Sequence, residues 1–251
     1  GKNKRYARSY LQFTARDMLN RFSDALLYPK TKHLSELIEE LFPHKKKFSF
    51  HNCIDTETFQ YRPQAAYSNP VIGWVGRIER NKNWQGCFLI TNELLKDFPN
   101  LELWLFFDDT LTTPSEKRKF EYNLKKMKLT NVVKLYKNIP HEQMPNYLSK
   151  IADSGGLLLS TSLIEGFGYS VLEALSCKCP VLTTDSDGVR SFVIHNQTGK
   201  LFTYGHTQQA VREAKELMTN QELRKRLVEQ GVNYVKKHFS LKQYADNFSS
   251  M

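Results

Sequence analysis

The amino-acid sequence predicts an α/β protein in which a parallel sheet carries helices on both faces. From residue 71 onward, short apolar runs alternate with longer stretches whose apolar residues recur at helical spacing. Such alternation is typical of a parallel sheet wrapped by helices, the Rossmann-like arrangement. The chain has 251 residues, of which 40% are hydrophobic, so it can bury a substantial core. In sheets of this kind, ligands bind at the carboxyl ends of the strands.

The predicted elements of this region follow one another as strand and helix. Strands are predicted at residues 71–75, 101–107, 132–136, 156–159, 181–183 and 200–202. Helices are predicted at residues 84–97, 114–127 and 141–150, after Gly168, and in most of the chain from residue 207 onward. The last predicted helix covers residues 234–248.

The first fifty residues have a different pattern. Helices are predicted at residues 6–22 and 35–42, and short strands at residues 25–28 and 47–51. Residues 60–70, which include Pro63 and Pro70, are the best candidate for a hinge. Because the chain starts with Gly1 inside a predicted element, we expect the natural N-terminus to lie further upstream.

The net charge of +10 is unevenly distributed along the chain. The first fifty residues contain eleven Lys or Arg and five acidic residues. A basic excess near one end favours phosphates, anionic lipid head groups or nucleic acid as partners. A solvated surface combined with cations of a ligand site is an alternative that the composition leaves open.

The cysteine spacing argues against a zinc site, and the apolar runs are too short for a membrane-spanning helix. The four cysteines are Cys53, Cys87, Cys177 and Cys179. They lack the spacing of a zinc site, so we expect reduced thiols in a cytoplasmic protein. No apolar run approaches the ~20 residues that a membrane-spanning helix needs.

A strand, a glycine-containing turn and the start of a helix meet around residue 166. Gly166 and Gly168 allow a tight turn, and the helix that follows offers unpaired N–H groups and a partial positive charge to phosphate oxygens. Glu165 and Glu173 flank this turn and are suited to accept hydrogen bonds from sugar hydroxyls. These residues alone leave open that Glu173 is a solvated or capping residue and that Glu165 is an ordinary loop acid.

A second segment is also suited to bind phosphate groups. Gly76 breaks the predicted strand at residues 71–75, and Arg77 and Lys82 follow. A planar guanidinium and a compact ammonium suit a diphosphate that gains negative charge as a leaving group. A solvated loop is the alternative that these two residues leave open.

The combination of Gly76-Arg77, Lys82, Glu165 and Glu173 resembles the retaining glycosyltransferases of the GT-B fold, family 4 (glycosyl transferases group 1). The resemblance extends from about residue 20 to about residue 235. It includes the interdomain segment at residues 52–63, where Cys53 replaces a glycine, the helix and strand at residues 174–182, and the turn at residues 196–202. Two segments depart from the family. Residues 107–110 replace a Gly-x-Gly turn, and residues 187–191 lack the final glutamate of a Gly-Gly-x-Pro-Glu loop.

The resemblance implies a division of the chain into four parts. Residues 1–51 would be the tail of an N-terminal, acceptor-binding domain, most of which would be absent. Residues 52–70 would form the interdomain segment, and residues 71–235 the Rossmann-like C-terminal domain that binds a nucleotide-sugar donor. Residues 236–251 would form a helix that crosses back to the first domain.

The resemblance also implies roles for individual residues. The catalytic residues would be Arg77, Lys82 and Glu165, with the two cations on the donor diphosphate and Glu165 on a hydroxyl of the transferred sugar. The donor-binding residues would be Gly76, Phe167, Gly168, Tyr169, Glu173, Lys137 and Ile139. Glu173 would accept hydrogen bonds from the ribose, and the base would lie against residues 136–139.

By resemblance, the expected activity is transfer of a sugar, of the hexosyltransferase type, from a nucleoside-diphosphate sugar to a glycan or glycolipid in polysaccharide biosynthesis. No cofactor, metal or nucleic acid is expected. The expected location is cytoplasmic, with peripheral contact to an anionic inner membrane face through the basic N-terminal region. Two other hypotheses are a non-catalytic nucleotide or polyanion-binding module and a sugar-nucleotide epimerase of similar fold.

Other polar residues are weaker candidates. Asp185 and Asp187 could hold a divalent ion on a diphosphate, but such ions need a supporting cage of oxygen ligands that the sequence does not reveal. His141 and His195 lack a nucleophile partner at recognisable spacing, so both are predicted to be structural or solvated.

Overall fold

The computed structural model describes residues 8–251. The strands are β1 (Ala25–Pro29), β2 (Lys46–Phe50), β3 (Val71–Val75), β4 (Glu102–Phe107), β5 (Val133–Lys137), β6 (Leu157–Ser160), β7 (Val181–Thr184) and β8 (Lys200–Phe202). The helices are α1 (Arg16–Phe22), α2 (Lys32–Leu41), α3 (Trp84–Leu94), α4 (Pro114–Lys126), α5 (Met144–Asp153), α6 (Tyr169–Ser176), α7 (Thr207–Thr219), α8 (Gln221–His238) and α9 (Leu241–Ser249). Each strand predicted from the sequence is present within one residue of its expected bounds.

A six-stranded parallel sheet forms the centre of the larger part of the molecule. Its strand order is β5-β4-β3-β6-β7-β8, so the chain first builds outward from β3 and then returns to place β6 on the other side of β3. All residues of β6 and β7 are buried, as expected for strands covered on both faces. The predicted α/β class with a Rossmann-like parallel sheet is confirmed.

Helices cover both faces of this sheet. On one face, buried residues of α3, α4 and α7 form a core with alternate residues of β3 and β4, such as Ile72 and Leu103. On the other face, buried residues of α5 and α6 pack against Val71 and Trp104. Because successive strand residues point to opposite faces, neighbouring positions of one strand serve the two cores.

The first core has an aromatic centre next to the end of β3. Trp84 is fully buried at the start of α3, and its ring makes edge contacts with Phe88 and Phe120 at centroid distances of 5.4 and 5.3 Å. Such contacts add to the stabilisation from burial of the ring surface. This cluster fixes the beginning of α3 directly after Lys82.

A smaller parallel pair, β1 and β2, lies near the N-terminus of the described residues. Leu26 of β1 packs with Leu37, Ile38 and Leu41 of α2 and with Phe42. The helix predicted at residues 35–42 begins earlier, at Lys32. The first predicted helix includes a π-helical stretch, Leu11–Ala15, directly before α1, and its predicted start at residue 6 lies outside the described residues.

The single helix predicted at residues 234–248 is wrong, because the chain turns between α8 and α9. Phe239 is almost fully buried, and its carbonyl oxygen accepts a hydrogen bond from Ile54 N. The Ser240 side chain accepts a hydrogen bond from Gln243 N and caps α9. A buried aromatic anchor and a new N-cap therefore interrupt a pattern that is helical on both sides.

The end of β2 and helix α9 meet beside this turn. The rings of Phe50, at the end of β2, and Tyr244, in α9, lie 5.0 Å apart in an edge arrangement. The division of the chain at residues 51, 70 and 235 stays a prediction. Among the described residues, no helix combines the length and apolar character that crossing a membrane requires.

Candidate functional site

The predicted site residues gather at the carboxyl edge of the parallel sheet, at the point between β3 and β6 where the strand order reverses. Arg77 and Lys82 follow β3, and Glu165 follows β6, which is hydrogen-bonded to β3. Such a switch point leaves a crevice between the two outgoing loops, and ligands of open α/β sheets bind there. The sheet topology thus brings together residues that are 83 positions apart.

An ion pair joins the two loops. Lys82 Nζ lies 2.7 Å from Glu165 Oε1, and the two side chains are only 19% and 10% exposed. The stem of Lys82 passes close to Gly76, since a Cβ atom added there would lie 3.1 Å from Lys82 Cγ. The small residue at position 76 leaves room for the lysine to reach across the edge of the sheet.

Backbone and side-chain hydrogen bonds hold the two loops in register. Leu163 N donates to the Asn81 carbonyl oxygen at 2.8 Å, and Asn81 Nδ2 donates to the Ile164 carbonyl oxygen at 3.0 Å. The Thr161 hydroxyl donates to the Lys82 carbonyl oxygen at 2.9 Å and accepts from Trp74 Nε1 at 3.1 Å. The two loops that contain Lys82 and Glu165 are therefore joined by hydrogen bonds in addition to the ion pair.

Arg77 occupies a more open position. Its guanidinium lies 3.0 Å from Glu79 Oε1, and half of its side chain is exposed. The structure brings Lys82 and Glu165 into contact and leaves Arg77 paired within its own loop. From that position the guanidinium faces solvent and is accessible to an anion.

The turn before α6 has the strained backbone that its glycine permits. Gly168 has φ = 86° and forms the N-cap of α6. The Phe167 side chain is buried against Phe192, with centroids 5.5 Å apart, so this residue offers its backbone rather than its ring to a ligand. Tyr169 is half exposed, and burial raises the pKa of its hydroxyl.

The loop after β7 packs directly under this turn. A Cβ atom added at Gly188 would lie 2.3 Å from the Glu165 carbonyl oxygen, which is closer than any side chain can approach. The absence of a side chain at Gly188 therefore allows close packing against the backbone of the loop that contains Glu165.

We expect Gly188→Ala to lower the free energy of unfolding by about 1–3 kcal/mol, because the added methyl group must displace backbone. Gly166→Ala is the matched control in the adjoining loop. Nothing lies within 4 Å of the position of its added Cβ, so its effect should stay within about 0.5 kcal/mol. Urea unfolding of both variants measures the difference, and equal effects would refute the tight packing under Glu165.

Glu173 lies in the second turn of α6 and is 8% exposed. Burial raises the pKa of its carboxyl group above the ordinary value, and a hydrogen bond from His141 partly offsets that rise. His141 Nε2 lies 2.9 Å from Glu173 Oε1. The prediction that His141 is structural or solvated missed this contact, because no local pattern links two residues 32 positions apart.

A cleft of about 470 Å³ opens beside His141 at the ends of β3, β4 and β5. It is lined by Val75, Phe106, Phe107, Asp108, Thr110, Asn138, Ile139, His141 and Met144. Ile139 thus lines a cleft, and its role beside a base stays a prediction. Lys137 faces away from this cleft, toward Asp109, with 3.6 Å between Lys137 Nζ and Asp109 Oδ2.

One member of the acidic pair after β7, Asp185, is paired with an arginine. Arg190 Nε and Nη2 donate to the two carboxylate oxygens of Asp185 at 2.5 and 2.7 Å, and the guanidinium holds the pKa of Asp185 below its ordinary value. Within residues 8–251, no group of three or more His, Cys, Asp or Glu side chains is placed to hold a metal ion. His195 is structural, since its Nδ1 accepts from Leu201 N at 3.0 Å.

Residues 55–234 match the sequence family described as Glycosyl transferases group 1. Glycosyltransferase 1 domain-containing protein 1 of Xenopus tropicalis is 32% identical over 119 residues, which are 47% of this chain and 33% of that relative. A Campylobacter jejuni enzyme, N-acetylgalactosamine-N,N'-diacetylbacillosaminyl-diphospho-undecaprenol 4-alpha-N-acetylgalactosaminyltransferase, is 24% identical over 230 residues, 86% of this chain and 59% of the relative.

Solved structures share the fold at lower sequence identity. TarM from S. aureus, solved with fondaparinux, alpha-GlcNAc-glycerol and UDP, has a TM-score of 0.78 at 16% identity; the match covers 100% of this chain and 46% of TarM. HepE from Anabaena, solved with UDP and glucose, has a TM-score of 0.78 at 17% identity and covers 99% of this chain and 68% of HepE. This chain spans less than half of TarM and of the Xenopus relative.

Proposed function

This chain belongs to the family of glycosyl transferases group 1, and from this premise we propose that it binds a nucleoside-diphosphate sugar at the carboxyl edge of its sheet. The proposed activity is transfer of that sugar to a glycan or glycolipid with retention of the anomeric configuration. The observation that carries this proposal is the convergence of Lys82, Glu165 and the N-terminus of α6 at one switch point. Glu173 lies one helical turn further along the same helix.

Charge at this edge suits a diphosphate. Lys82 and Arg77 supply two cations, and the N-terminus of α6 supplies unpaired backbone N–H groups with a partial positive charge. Each cation is paired with a glutamate in the described structure, Lys82 with Glu165 and Arg77 with Glu79. We propose that the diphosphate shares these cations when the donor binds, so no metal ion is required to offset its charge.

The two buried carboxylates suit hydroxyl groups on either side of the diphosphate. Glu165 has one oxygen on Lys82, which holds its carboxylate beside the position proposed for the transferred sugar. Glu173 stands beside the cleft lined by Ile139 and Asn138, which is the proposed place of the base. A ribose between base and diphosphate would then lie within reach of Glu173.

The proposed reaction needs no dedicated protein base. The bond between the anomeric carbon and the diphosphate oxygen breaks, and its electron pair stays on the diphosphate. The acceptor hydroxyl attacks the anomeric carbon on the same face and forms the new glycosidic bond, while its proton passes to an oxygen of the leaving diphosphate. Lys82, Arg77 and the α6 amides stabilise the charge that develops on the leaving group.

The proposed acceptor and location rest on the family and on charge. A glycan or glycolipid acceptor, in polysaccharide biosynthesis, is proposed from two relatives, the Campylobacter jejuni enzyme and the poly(glycerol-phosphate) alpha-glucosyltransferase of Bacillus subtilis. The basic residues of the first fifty positions, with the exposed side chains of Phe13, Met18 and Phe22, support the proposal of peripheral contact with an anionic membrane in the cytoplasm. Lys2, Lys4 and Arg5 contribute to this charge but lie outside the described residues.

A transfer assay tests the proposed reaction. The chain is incubated with UDP-, GDP- and ADP-sugars and a panel of glycan and glycolipid acceptors, and products are identified by mass. We expect a product that depends on one donor class. The anomeric coupling constant of this product in NMR should show the same configuration as the donor. A product of inverted configuration, or epimerisation of the donor without transfer, would refute the proposal.

A further inference from the structure

A contact beside the cleft points to a residue that no motif marks. His141 opens the short helical turn His141–Gln143 and lines the cleft with Ile139 and Met144. Its side chain is 69% exposed, yet its ring makes two specific contacts on the protein side. An exposed histidine that is held in this way has an orientation fixed for some purpose other than core packing.

The first contact fixes the ring plane. The imidazole lies against the Phe59 ring, with centroids 4.7 Å apart and an angle of 48° between the planes. Phe59 is itself anchored, because it is 3% exposed and its carbonyl oxygen accepts a hydrogen bond from the Ser176 hydroxyl at the end of α6. Phe59 is therefore fixed to α6, the helix that contains Glu173, and the histidine ring packs against Phe59.

The second contact fixes Glu173. With its proton on Nε2, His141 donates to Glu173 Oε1 at 2.9 Å. One carboxylate oxygen is then occupied, and the other is left for a ligand hydroxyl. A buried carboxylate that is partly compensated by an N–H donor stays ionised more readily than an uncompensated one.

We propose that His141 is a positioning residue for the donor: it orients the Glu173 carboxylate and keeps it ionised for the ribose hydroxyls. This inference rests on the proposed function, since it assigns Glu173 the ribose. His141 acts through Glu173, so its contribution should disappear when Glu173 can no longer act as an anionic acceptor.

The surroundings of the pair decide its pH dependence. The titratable groups that interact with Glu173 are His141, Tyr169 of α6 and Cys177 at the end of α6. Burial raises the pKa of Glu173, and the His141 hydrogen bond lowers it. Removal of that hydrogen bond should raise the pKa of Glu173 further, so binding that needs the carboxylate should fail at a higher pH than in the wild type.

Two substitutions separate the two contacts of His141. His141→Phe keeps an aromatic ring against Phe59 but removes the N–H donor. His141→Gln removes the ring but retains an amide N–H that can reach Glu173. Both should fold, because the side chain is largely exposed, and thermal unfolding checks this.

The experiment is calorimetric titration of the full chain with UDP, GDP and ADP across pH. Compared with the wild type, His141→Phe should bind the preferred nucleotide about tenfold more weakly. The loss of its binding affinity on the acid side should begin at a higher pH. His141→Gln should retain most of the affinity. In a Glu173→Gln background, His141→Phe should lower the nucleotide affinity little further, since the group through which His141 acts is already changed.

Wild-type affinity and pH profile in His141→Phe would overturn the inference, as would equal losses in His141→Phe and His141→Gln or full additivity with Glu173→Gln. In each of these outcomes the wild type still binds nucleotide, so the proposed function survives. Absence of binding by the wild type would refute the proposed function first, and the role of His141 would fall with it.

Discussion

Replacing Lys82 by methionine is expected to weaken nucleoside-diphosphate binding by about 10- to 100-fold. The substitution keeps the length of the stem that passes Gly76, but it removes the ammonium that would face the phosphates. Hydrogen bonds to charged groups contribute about 1.5–3 kcal/mol, which corresponds to this change in affinity. Calorimetric titration of the wild type and the variant with the same nucleotide measures it.

The substitution also leaves the Glu165 carboxylate without its partner in a buried position. A second variant, Lys82→Met combined with Glu165→Gln, removes that uncompensated charge and should unfold closer to the wild-type temperature while binding remains weak. Lys96→Met is the matched control, because Lys96 pairs with Glu93 at 2.8 Å far from the site and should bind as the wild type does. Wild-type affinity in Lys82→Met would show that this cation does not meet the diphosphate.

Replacing Trp84 by alanine is expected to lower the free energy of unfolding by about 3–5 kcal/mol. The indole is fully buried between the sheet and α4, and it contacts the rings of Phe88 and Phe120. Its loss leaves a cavity that the surrounding rings fill only in part. Urea unfolding followed by circular dichroism measures the change.

Leu89→Ala is the control for this prediction because it lies on the same helix. The Leu89 side chain is 49% exposed, so its truncation should cost less than about 1 kcal/mol. Similar losses in the two variants would contradict a special contribution of the buried Trp84 ring, because both substitutions introduce the same good helix former. A loss below about 1 kcal/mol in Trp84→Ala would contradict the aromatic cluster as the anchor of the loop that carries Lys82.

Much of the fold could be predicted from the sequence because buried parallel strands have a strong local signature. Residues 71–75 and 157–159, in β3 and β6, form apolar runs with a glycine next to one end, so their positions can be predicted from the local sequence. The break between α8 and α9 could not be predicted in this way. It depends on Phe239 meeting Ile54, and a contact between distant residues leaves no local pattern.

In the candidate site, too, individual residues could be predicted from the sequence, but the contacts between them could not. Arg77 and Glu165 could be named because each adjoins a glycine in a loop that follows a strand, and Lys82 and Glu173 could be named from their spacing to these residues. That Lys82 pairs with Glu165, whereas Arg77 pairs with Glu79, depends on how two loops meet in space. The orientation of Lys137 toward Asp109 and the contact of His141 with Glu173 depend on side-chain direction, which sequence spacing does not specify.

The most direct test of a donor site at this edge is a calorimetric comparison of the wild type with Glu173→Gln, each titrated with UDP, GDP and ADP at low and high salt. We expect that the wild type prefers one base, that this binding persists at high salt, and that Glu173→Gln weakens it about tenfold. Binding that salt abolishes and that depends neither on the base nor on Glu173 would instead indicate a polyanion-binding surface and contradict the donor site.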